Sequence, residues 1–475
     1  MNNTIGENKT ILGIALLTLF MAMLFRLLNS MLFMESSTLL YLISAESTVL
    51  VFFIIMTLKK WHGTFFKITT IFVIMYSLYM MGQLFLNAFG LLHDPILSGK
   101  FQISKVIEAV IDVHIYLAFF LMGISLAPKY KKKNVFRPDR YGVKVGYWVI
   151  AFSLPFELAV TIMKVTISLT YGYASLYQDV AYDAIPSFAK ILSYFFLPGV
   201  FFLLFCAPRK STHEKVALML MAYHCIAYLI MGYRAATITP ILLLLYTLRV
   251  KNQEMSRTSR QSKKTVALLV VIAAILVLVV FPYVGENRNN GDSDTKEITF
   301  AELVESNPVF ETVNEMGKSL QTLVYTEELV PSSYPYRYGY TYLMNLTTVI
   351  PNLFWDKHPA EVYGSLGRWL TKIVDYDFWE FGGALGYSCV AEAYINFGYP
   401  GIVIIAFLLG YILIRIENKV DSRNSPMYYA ALCVVAINLT SYARGEFADV
   451  VRSIFWYMLI PLLMYKFIKP QNIRV

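Results

Sequence analysis

Apolar residues occur along this chain in long unbroken runs, not in the short alternating pattern of a half-buried strand. Runs of about 18 or more nearly uncharged residues recur, a length that lets a helix cross a bilayer. Such helices satisfy their own backbone hydrogen bonds in lipid, whereas a β-barrel would need alternating segments. The pattern predicts an all-α polytopic membrane protein with about twelve transmembrane helices, over residues 11–28, 39–58, 65–91, 103–127, 142–170, 186–207, 216–233, 236–248, 265–284, 391–414, 427–442 and 451–467.

A long polar interruption separates the ninth run from the tenth. It predicts three segments: nine N-terminal transmembrane helices over 1–284, a loop domain over 285–385, and three C-terminal transmembrane helices over 386–475. Its second half is dense in Tyr and Trp and is punctuated by Gly and Pro. Aromatic faces and positive charges beside a membrane suit a carbohydrate carried on a lipid phosphate.

Composition and charge support the membrane class. Hydrophobic residues make up 57% of the chain and charged residues 15%, against about a quarter charged in soluble domains. The net charge of +9 does not indicate nucleic-acid binding, because the Lys and Arg residues concentrate in alternate loops. By the positive-inside rule this places both termini in the cytoplasm and makes the long loop extracytoplasmic. The first run is expected to remain as an anchor.

Several polar and small residues inside the runs have structural explanations. The four cysteines form no CxxC motif and are expected to be small buried residues. The spacing of Gly142 and Gly146 is typical of close helix packing. Internal ion pairs are expected for the ionisable residues of the runs, which are Arg26, Glu46, Glu108, Asp112, Glu157 and Lys164.

Four arginines fall on the predicted outer side, where positive-inside anchoring does not explain them. Arg234 lies in a tight turn, Arg337 in the long loop, and Arg444 and Arg452 flank the last outer turn. One such arginine is explained equally well by snorkelling to lipid phosphates. Several arginines that converge from separate turns predict a phosphate-binding site, because guanidinium groups bind phosphate in a bidentate manner without a metal.

Candidate acid–base groups lie near these arginines in the predicted topology. Glu392 begins the tenth run beside Tyr394 and Asn396, and His358 lies in the long loop. A carboxylate there acts either as a general base or as a helix cap or ion-pair partner, and Glu446 and Asp449 compete for the same role. A single His in an aromatic loop is more often structural. The chain has no GxGxxG, Walker, HExxH or DxD motif, so neither a nucleotide-sugar donor nor a metal site is predicted.

The chain resembles the O-antigen polymerase (Wzy-type) family, also called oligosaccharide repeat unit polymerases. The features that carry the resemblance are GYRAATITPILLLLY around Arg234, the aromatic loop with YRYGYTYLMNLTTVIPNLFW, AEAYINFGYPG, and SYARGEFADVVRSIFWYMLIP near the end. At the level of motifs it covers the chain from about residue 215 onward. In the number of spans and the placement of loops it covers the whole chain.

The resemblance implies a GT-C-like, metal-independent glycosyltransferase of the bacterial inner membrane with its active site on the periplasmic face. It implies an inverting transfer of a growing glycan from undecaprenyl pyrophosphate to an undecaprenyl-pyrophosphate-linked repeat unit. Arg234, Arg337, Arg444 and Arg452 would hold the pyrophosphate, while Glu392 or His358 would act on the acceptor hydroxyl. Tyr338, Tyr394 and Asn396 would contact the substrate. No cofactor is expected, and a chain-length regulator and a flippase are the implied membrane partners.

Two other functions remain open on the sequence. An O-antigen ligase would transfer the same donor glycan to lipid A core and would share the long loop and the arginines. A flippase for the lipid-linked oligosaccharide would also account for twelve spans and buried charges. The flippase predicts matching broken helices in two halves and short outer loops, neither of which is visible in the sequence.

Overall fold

The computed structural model of the chain describes residues 2–31, 34–92, 94–128, 136–171, 186–231, 233–255, 308–350, 355–356 and 358–470. It describes only the backbone of residues 2–7, 169, 171, 187, 234–235, 252–255, 308 and 360–361. Every regular element in these ranges is helical, which confirms the all-α prediction for the described part of the chain. The run predicted over 265–284 lies outside it.

The helices follow one another along the whole described chain. They are α1 (Asn2–Met31), α2 (Ser36–His62), α3 (Ile68–Ala88), α4 (Ile103–Leu126), α5 (Arg140–Tyr171), α6 (Ser187–Ser193), α7 (Phe196–Cys206), α8 (Thr212–Ile230), α9 (Arg234–Met255), α10 (Pro308–Gly317), α11 (Gln321–Leu329), α12 (Tyr340–Thr347), α13 (Pro359–Tyr363), α14 (Leu366–Val374), α15 (Tyr376–Glu380), α16 (Cys389–Arg423), α17 (Pro426–Ser441), α18 (Phe447–Arg452) and α19 (Ile460–Ile468).

Nine helical segments in the described ranges are long and apolar enough to cross a membrane. They coincide with the first six and last three of the predicted runs. The runs predicted over 216–233 and 236–248 are helical, as α8 and α9, but are not among the nine. Their uncharged parts are shorter than the roughly 20 residues that a span needs, because charged residues begin α8 and end α9. The predicted count of twelve is therefore not confirmed.

Packing divides the chain into two compact units. The first unit contains Met1–Tyr130, Phe310–Lys419 and Leu439–Val451. The second unit contains Lys131–Val309, Val420–Asn438 and Arg452–Val475. The three segments predicted from hydropathy are consecutive along the chain, whereas each packing unit combines separate stretches. The three-segment division stays a prediction.

In the first unit, α4 and α16 approach each other at two glycines. A Cβ atom on Gly123 would lie 2.2 Å from the Phe407 carbonyl oxygen, and one on Gly410 would lie 2.1 Å from the Phe120 carbonyl oxygen. Small residues let the backbones of membrane helices meet in this way. The contact fixes α16, which carries Glu392, against the N-terminal bundle.

The described part of the long loop also packs on the first unit. A Cβ atom on Gly82 of α3 would lie 2.6 Å from the Val313 carbonyl oxygen of α10. Beside this contact, the Gln83 side chain donates a hydrogen bond to Asn314 at 2.7 Å. The loop helices are therefore part of the fold of this unit.

In the second unit, α5 packs on α7 through the predicted glycine pair. A Cβ atom would lie 2.3 Å from the Cys206 sulfur if added to Gly142, and 2.7 Å from the Leu203 nitrogen if added to Gly146. These distances confirm the predicted packing role. A buried ion pair, Lys251 with Glu214 at 2.5 Å, ties α9 to α8 in the same unit.

Most of the ionisable residues inside the predicted runs have ionic partners, as expected, whereas Lys164 contacts the Tyr233 ring. Arg26 pairs with Asp112 at 2.5 Å, Glu46 with His114 at 3.2 Å, and Glu157 with His224 at 3.1 Å. All four cysteines are buried and unbridged. Large apolar side chains face outward on the spanning helices, for example Phe20 and Phe52, which suits contact with lipid tails.

Candidate functional site

The candidate site is built around a break in α16. Gly398 adopts φ +63° and ψ −149°, a conformation that is essentially confined to glycine, and Pro400 follows it. In a continuous helix the amide of residue 400 would bond to the Asn396 carbonyl, but proline has no N–H group. The loop supplies the missing donors. The Arg337 amide donates to the Ile395 carbonyl at 2.8 Å, and the Tyr338 amide donates to the Asn396 carbonyl at 2.9 Å.

Asn396 holds the turn before α12 through its side chain. Its amide oxygen accepts a hydrogen bond from the Gly339 amide at 3.0 Å. Its amide nitrogen donates to the Thr341 hydroxyl at 2.7 Å. Asn396 is fully buried, and both of these hydrogen bonds hold the turn that contains Arg337. Its predicted contact with substrate stays a prediction.

Glu392 lies one turn earlier on α16 and is 0% exposed. One carboxylate oxygen accepts hydrogen bonds from Thr341 at 3.2 Å and Asn345 at 3.0 Å. The other accepts from the Phe447 amide at 2.9 Å. A buried carboxylate requires such donors to offset the loss of water. Glu392 therefore joins α16, α12 and the start of α18.

The Arg337 side chain is held by aromatic residues. One guanidinium nitrogen donates to the Tyr363 hydroxyl at 2.6 Å. The guanidinium carbon lies 5.2 Å from the centroid of the Tyr363 ring and 4.9 Å from that of Trp369. Both distances are typical of cation–π contacts. Burial raises the pKa of Tyr363, which keeps the phenol protonated, and Arg337 opposes that rise.

Arg444 lies beside the helix that carries Trp369. A Cβ atom on Gly386 would lie 3.3 Å from the Arg444 carbonyl oxygen and 3.8 Å from its Nε atom. Gly386 in turn packs on Gly367 of α14, whose added Cβ would lie 3.0 Å from the Gly386 carbonyl oxygen. Arg337 therefore contacts α14 directly through Trp369, whereas Arg444 contacts Gly386, which packs on that helix. Arg444 is exposed.

Glu446 caps the N-terminus of α14. Its carboxylate accepts a hydrogen bond from the Gly367 amide at 3.0 Å, while Ser365 accepts from the Arg368 amide at 3.1 Å. These contacts satisfy two of the amides that a helix N-terminus leaves unpaired. Glu446, one of the two competing carboxylates of the sequence analysis, therefore has a structural contact at the start of α14.

The pKa of Tyr387 responds to several charged groups of this region. Burial raises its pKa well above the ordinary value for tyrosine. Glu392 and Glu446 add to the rise, and Arg337 opposes it. Two carboxylates and one guanidinium therefore act on one buried phenol, whose hydroxyl lies 2.9 Å from the Thr326 hydroxyl.

The two predicted sugar-contacting tyrosines differ in exposure. Tyr338 is 77% exposed, whereas Tyr394 is 5% exposed and its hydroxyl donates to the Val330 carbonyl at 3.4 Å. Tyr338 lines an open apolar groove of about 370 Å³ together with Tyr336, Phe397, Pro400, Gly401, Ile404 and Ile405. Only Tyr338 of the pair offers an aromatic face to a ligand in this conformation.

His358 contacts a backbone carbonyl. Its Nε2 atom lies 3.0 Å from the Ile350 carbonyl oxygen, and its ring lies edge-on to Trp355. A carbonyl only accepts hydrogen bonds, so Nε2 carries the proton in this contact. A base role would then use Nδ1.

Arg234 and Arg452 belong to the second unit. Arg234 begins α9, and its side chain lies outside the described atoms. Arg452 ends α18 and is exposed. Convergence of all four arginines stays a prediction. Within the described ranges no group of three or more His, Cys, Asp or Glu side chains is placed to hold a metal ion.

Sequence reasoning missed the residues that hold the predicted ones in place. Thr341 and Asn345, the donors to Glu392, lie one helical turn apart on α12. Tyr363 supplies the hydrogen bond to Arg337. The sequence Gly398-Tyr399-Pro400 inside an apolar run did carry a signal, because glycine and proline together break a helix and release carbonyl groups.

The sequence model of one family, described as O-antigen polysaccharide polymerase Wzy, matches residues 11–470. A curated relative, Protein CapE of Staphylococcus aureus, is 22% identical over 259 residues, which are 54% of this chain and 51% of that protein. The chain thus spans about half the length of the curated relative that it matches. No solved structure matches the chain.

Proposed function

Because the chain belongs to the O-antigen polysaccharide polymerase Wzy family, we propose that it polymerises oligosaccharide repeat units carried on undecaprenyl pyrophosphate. The family supports a polymerising glycosyltransferase, and the apolar helices support a multi-pass membrane protein. The proposed location is the bacterial inner membrane, with both termini in the cytoplasm and the reaction on the periplasmic face. A flippase that delivers the repeat unit and a chain-length regulator are the proposed partners.

Two arginine contacts near one short helix support the proposal: Arg337 contacts Trp369 of α14, and Arg444 contacts Gly386, which packs on the same helix. Tyr363 and Trp369 restrict the Arg337 guanidinium before any substrate arrives. A restrained guanidinium costs less conformational entropy on binding an anion than a free one. We propose that both arginines, with Arg234 and Arg452, bind the donor pyrophosphate.

In the proposed reaction, an acceptor hydroxyl attacks the anomeric carbon of the donor glycan while the bond from that carbon to the pyrophosphate oxygen breaks. Negative charge grows on the departing oxygen, where prepositioned arginines stabilise it. Attack opposite the leaving group inverts the anomeric centre. The acceptor proton passes to a base. The activated bond to pyrophosphate drives the transfer, so this step needs no nucleotide.

Glu392 and His358 remain the two proposed bases. Glu392 raises the pKa of Tyr387 and Arg337 lowers it. Glu392 is therefore within electrostatic reach of the same phenol as an arginine of the proposed pyrophosphate site. An acceptor hydroxyl would replace Thr341 or Asn345 as a donor to its carboxylate. We therefore prefer Glu392. Tyr338 offers the exposed ring on which a sugar could stack.

Reconstitution in vesicles with a defined lipid-linked repeat unit tests the proposal. The unaltered protein should produce a ladder of polymers, and Arg337→Ala or Arg444→Ala should leave single repeat units, with at least a hundredfold lower rate. Lys372→Ala is the matched control, since Lys372 is a basic residue of α14 that contacts the Trp379 ring.

Normal polymer length in the Arg337 and Arg444 variants would remove the arginines from the site. Transfer only when lipid A core is supplied would identify a ligase instead. Movement of the lipid across the bilayer without glycan growth would identify a flippase.

A further inference from the structure

A buried pair of carboxyl groups lies where the loop helix α11 packs on α4. Asp112 of α4 is 0% exposed, and its Oδ1 atom pairs with Arg26 at 2.5 Å. The Asp112 carboxyl group also lies within hydrogen-bonding reach of the Glu327 carboxyl group on α11. All three residues belong to the first unit. The pair has no part in the proposed glycosyl transfer.

The two carboxyl groups lack a donor between them. Asp112 Oδ2 and Glu327 Oε1 are both buried, and neither finds a donor group among the described residues. Ionised carboxylates only accept hydrogen bonds, so two of them repel each other at this distance. A proton on either group supplies the missing donor and removes one negative charge. The single guanidinium of Arg26 then balances the remaining charge.

The surroundings of Glu327 favour retention of that proton. Burial raises its pKa well above the ordinary value, Asp112 and Glu108 raise it further, and Arg26 opposes the rise. Lys105 pairs with Glu108 at 2.8 Å. Among the described residues, the other ionisable groups that interact with the pair are Tyr76 of α3 and Tyr394 and Tyr399 of α16. Glu328, next to Glu327 on α11, acts on Lys105.

We propose that Asp112 and Glu327 form a proton-binding site, in which one shared proton holds α11 against α4. Loss of the proton leaves two facing carboxylates with one cation, and α11 then separates more readily from the bundle. Nine residues further along the chain from Glu327, the loop reaches Tyr336 and Arg337, whose turn docks on α16. The site goes beyond the proposed function and does not depend on it.

The direction of the pH effect follows from proton linkage. When α11 is docked, the pair holds a proton that an exposed Glu327 would release near its ordinary pKa of about 4.3. Docking is therefore strongest at low pH. It weakens as pH rises, by up to about tenfold in the docking equilibrium per pH unit, until the docked pair also loses its proton.

Hydrogen exchange on the full-length protein in lipid nanodiscs tests the site. The readout is the protection factor of peptides covering 321–329, corrected for the pH dependence of intrinsic exchange, from about pH 5 to about pH 9. In the unaltered protein, protection should fall by at least tenfold across this range. In Glu327→Gln it should stay constant within about threefold, because the amide donates to Asp112 without a bound proton.

Glu328→Gln is the matched control, since it removes the same charge from an exposed neighbour on α11 and should keep the full pH slope. Asp112→Asn supplies a donor from the other side of the pair and should flatten the slope as Glu327→Gln does. A pH-independent protection factor in the unaltered protein, or an unchanged slope in Glu327→Gln, would overturn the proposal. Because the readout is not polymerisation, failure of the proposed function leaves this test intact.

Discussion

The side chains of the site divide into those that face solvent and those that hold others in place. Arg444 and Tyr338 are exposed, whereas Glu392 and Asn396 are buried and use their polar atoms within the protein. Arg337 is partly exposed. Aromatic neighbours restrain its guanidinium group, which has no ion-pair partner among the described residues. Substitution of a buried positioning residue should therefore change stability as well as activity, whereas substitution of an exposed residue should change mainly activity.

Glu392→Gln separates a chemical role from a positioning role. Thr341, Asn345 and the Phe447 amide all donate to its carboxylate, so the amide nitrogen of Gln would face at least one donor. We expect a loss of about 1–3 kcal/mol in the free energy of unfolding. Removal of a general base should also lower kcat by about 10²–10⁴-fold, while the Kd for the lipid-linked donor changes by less than about threefold.

The measurements are thermal unfolding, donor binding and polymerisation rate on one preparation. His358→Asn is the comparison, since an Asn amide can still donate to the Ile350 carbonyl. It should lower the rate by less than about tenfold. Equal losses of donor binding and rate in Glu392→Gln would make Glu392 a positioning residue and return the base role to His358.

At the scale of elements, α16 shows what hydropathy captures and what it omits. The apolar run predicted a single helix over 391–414, and a spanning helix is present over Cys389–Arg423. The break at Gly398 was not predicted, because an average over many residues does not register one residue with a positive φ. The docking of Arg337 and Tyr338 depends on that break. Residue types were therefore enough to nominate candidate site residues. The groups that contact those residues could not be predicted without knowing the course of the backbone.

Gly398→Ala tests the break. The native φ of +63° and ψ of −149° strain any residue with a Cβ atom, and the added atom would lie 3.1 Å from the Tyr336 hydroxyl. We expect a loss of about 1–3 kcal/mol in the free energy of unfolding, and a rate lowered by more than the loss of folded protein explains. Thermal unfolding and polymerisation of one preparation check this.

Gly13→Ala is the matched control in another spanning helix, because nothing lies within 4 Å of its added Cβ atom. Its stability should equal or slightly exceed that of the unaltered protein, since alanine favours the helix. Equal behaviour of the two variants would mean that the break tolerates a side chain and does not set the Arg337 turn.

At the scale of the whole molecule, the sequence predicted the all-α class, the membrane class, and the ion pairs and glycine contacts inside the runs. These features depend on local composition and spacing, which can be read directly. Convergence of the four arginines depends on contacts between residues far apart in the chain, such as Arg444 against Gly386. Periodicity does not encode such contacts, so convergence of the four arginines stays a prediction.

The predicted membrane orientation can be tested with single cysteines. Lys60 lies in the basic last turn of α2, so the positive-inside rule places it in the cytoplasm, whereas the 77%-exposed Tyr338 belongs to the long loop. In spheroplasts, a membrane-impermeant maleimide should label Tyr338→Cys at once and Lys60→Cys only after permeabilisation. The native cysteines are buried and should give little background. Labelling of both sites before permeabilisation, or of Lys60→Cys alone, would contradict the predicted orientation. Arg337 and Arg444 would then not lie on the periplasmic side, where the reaction is proposed to occur.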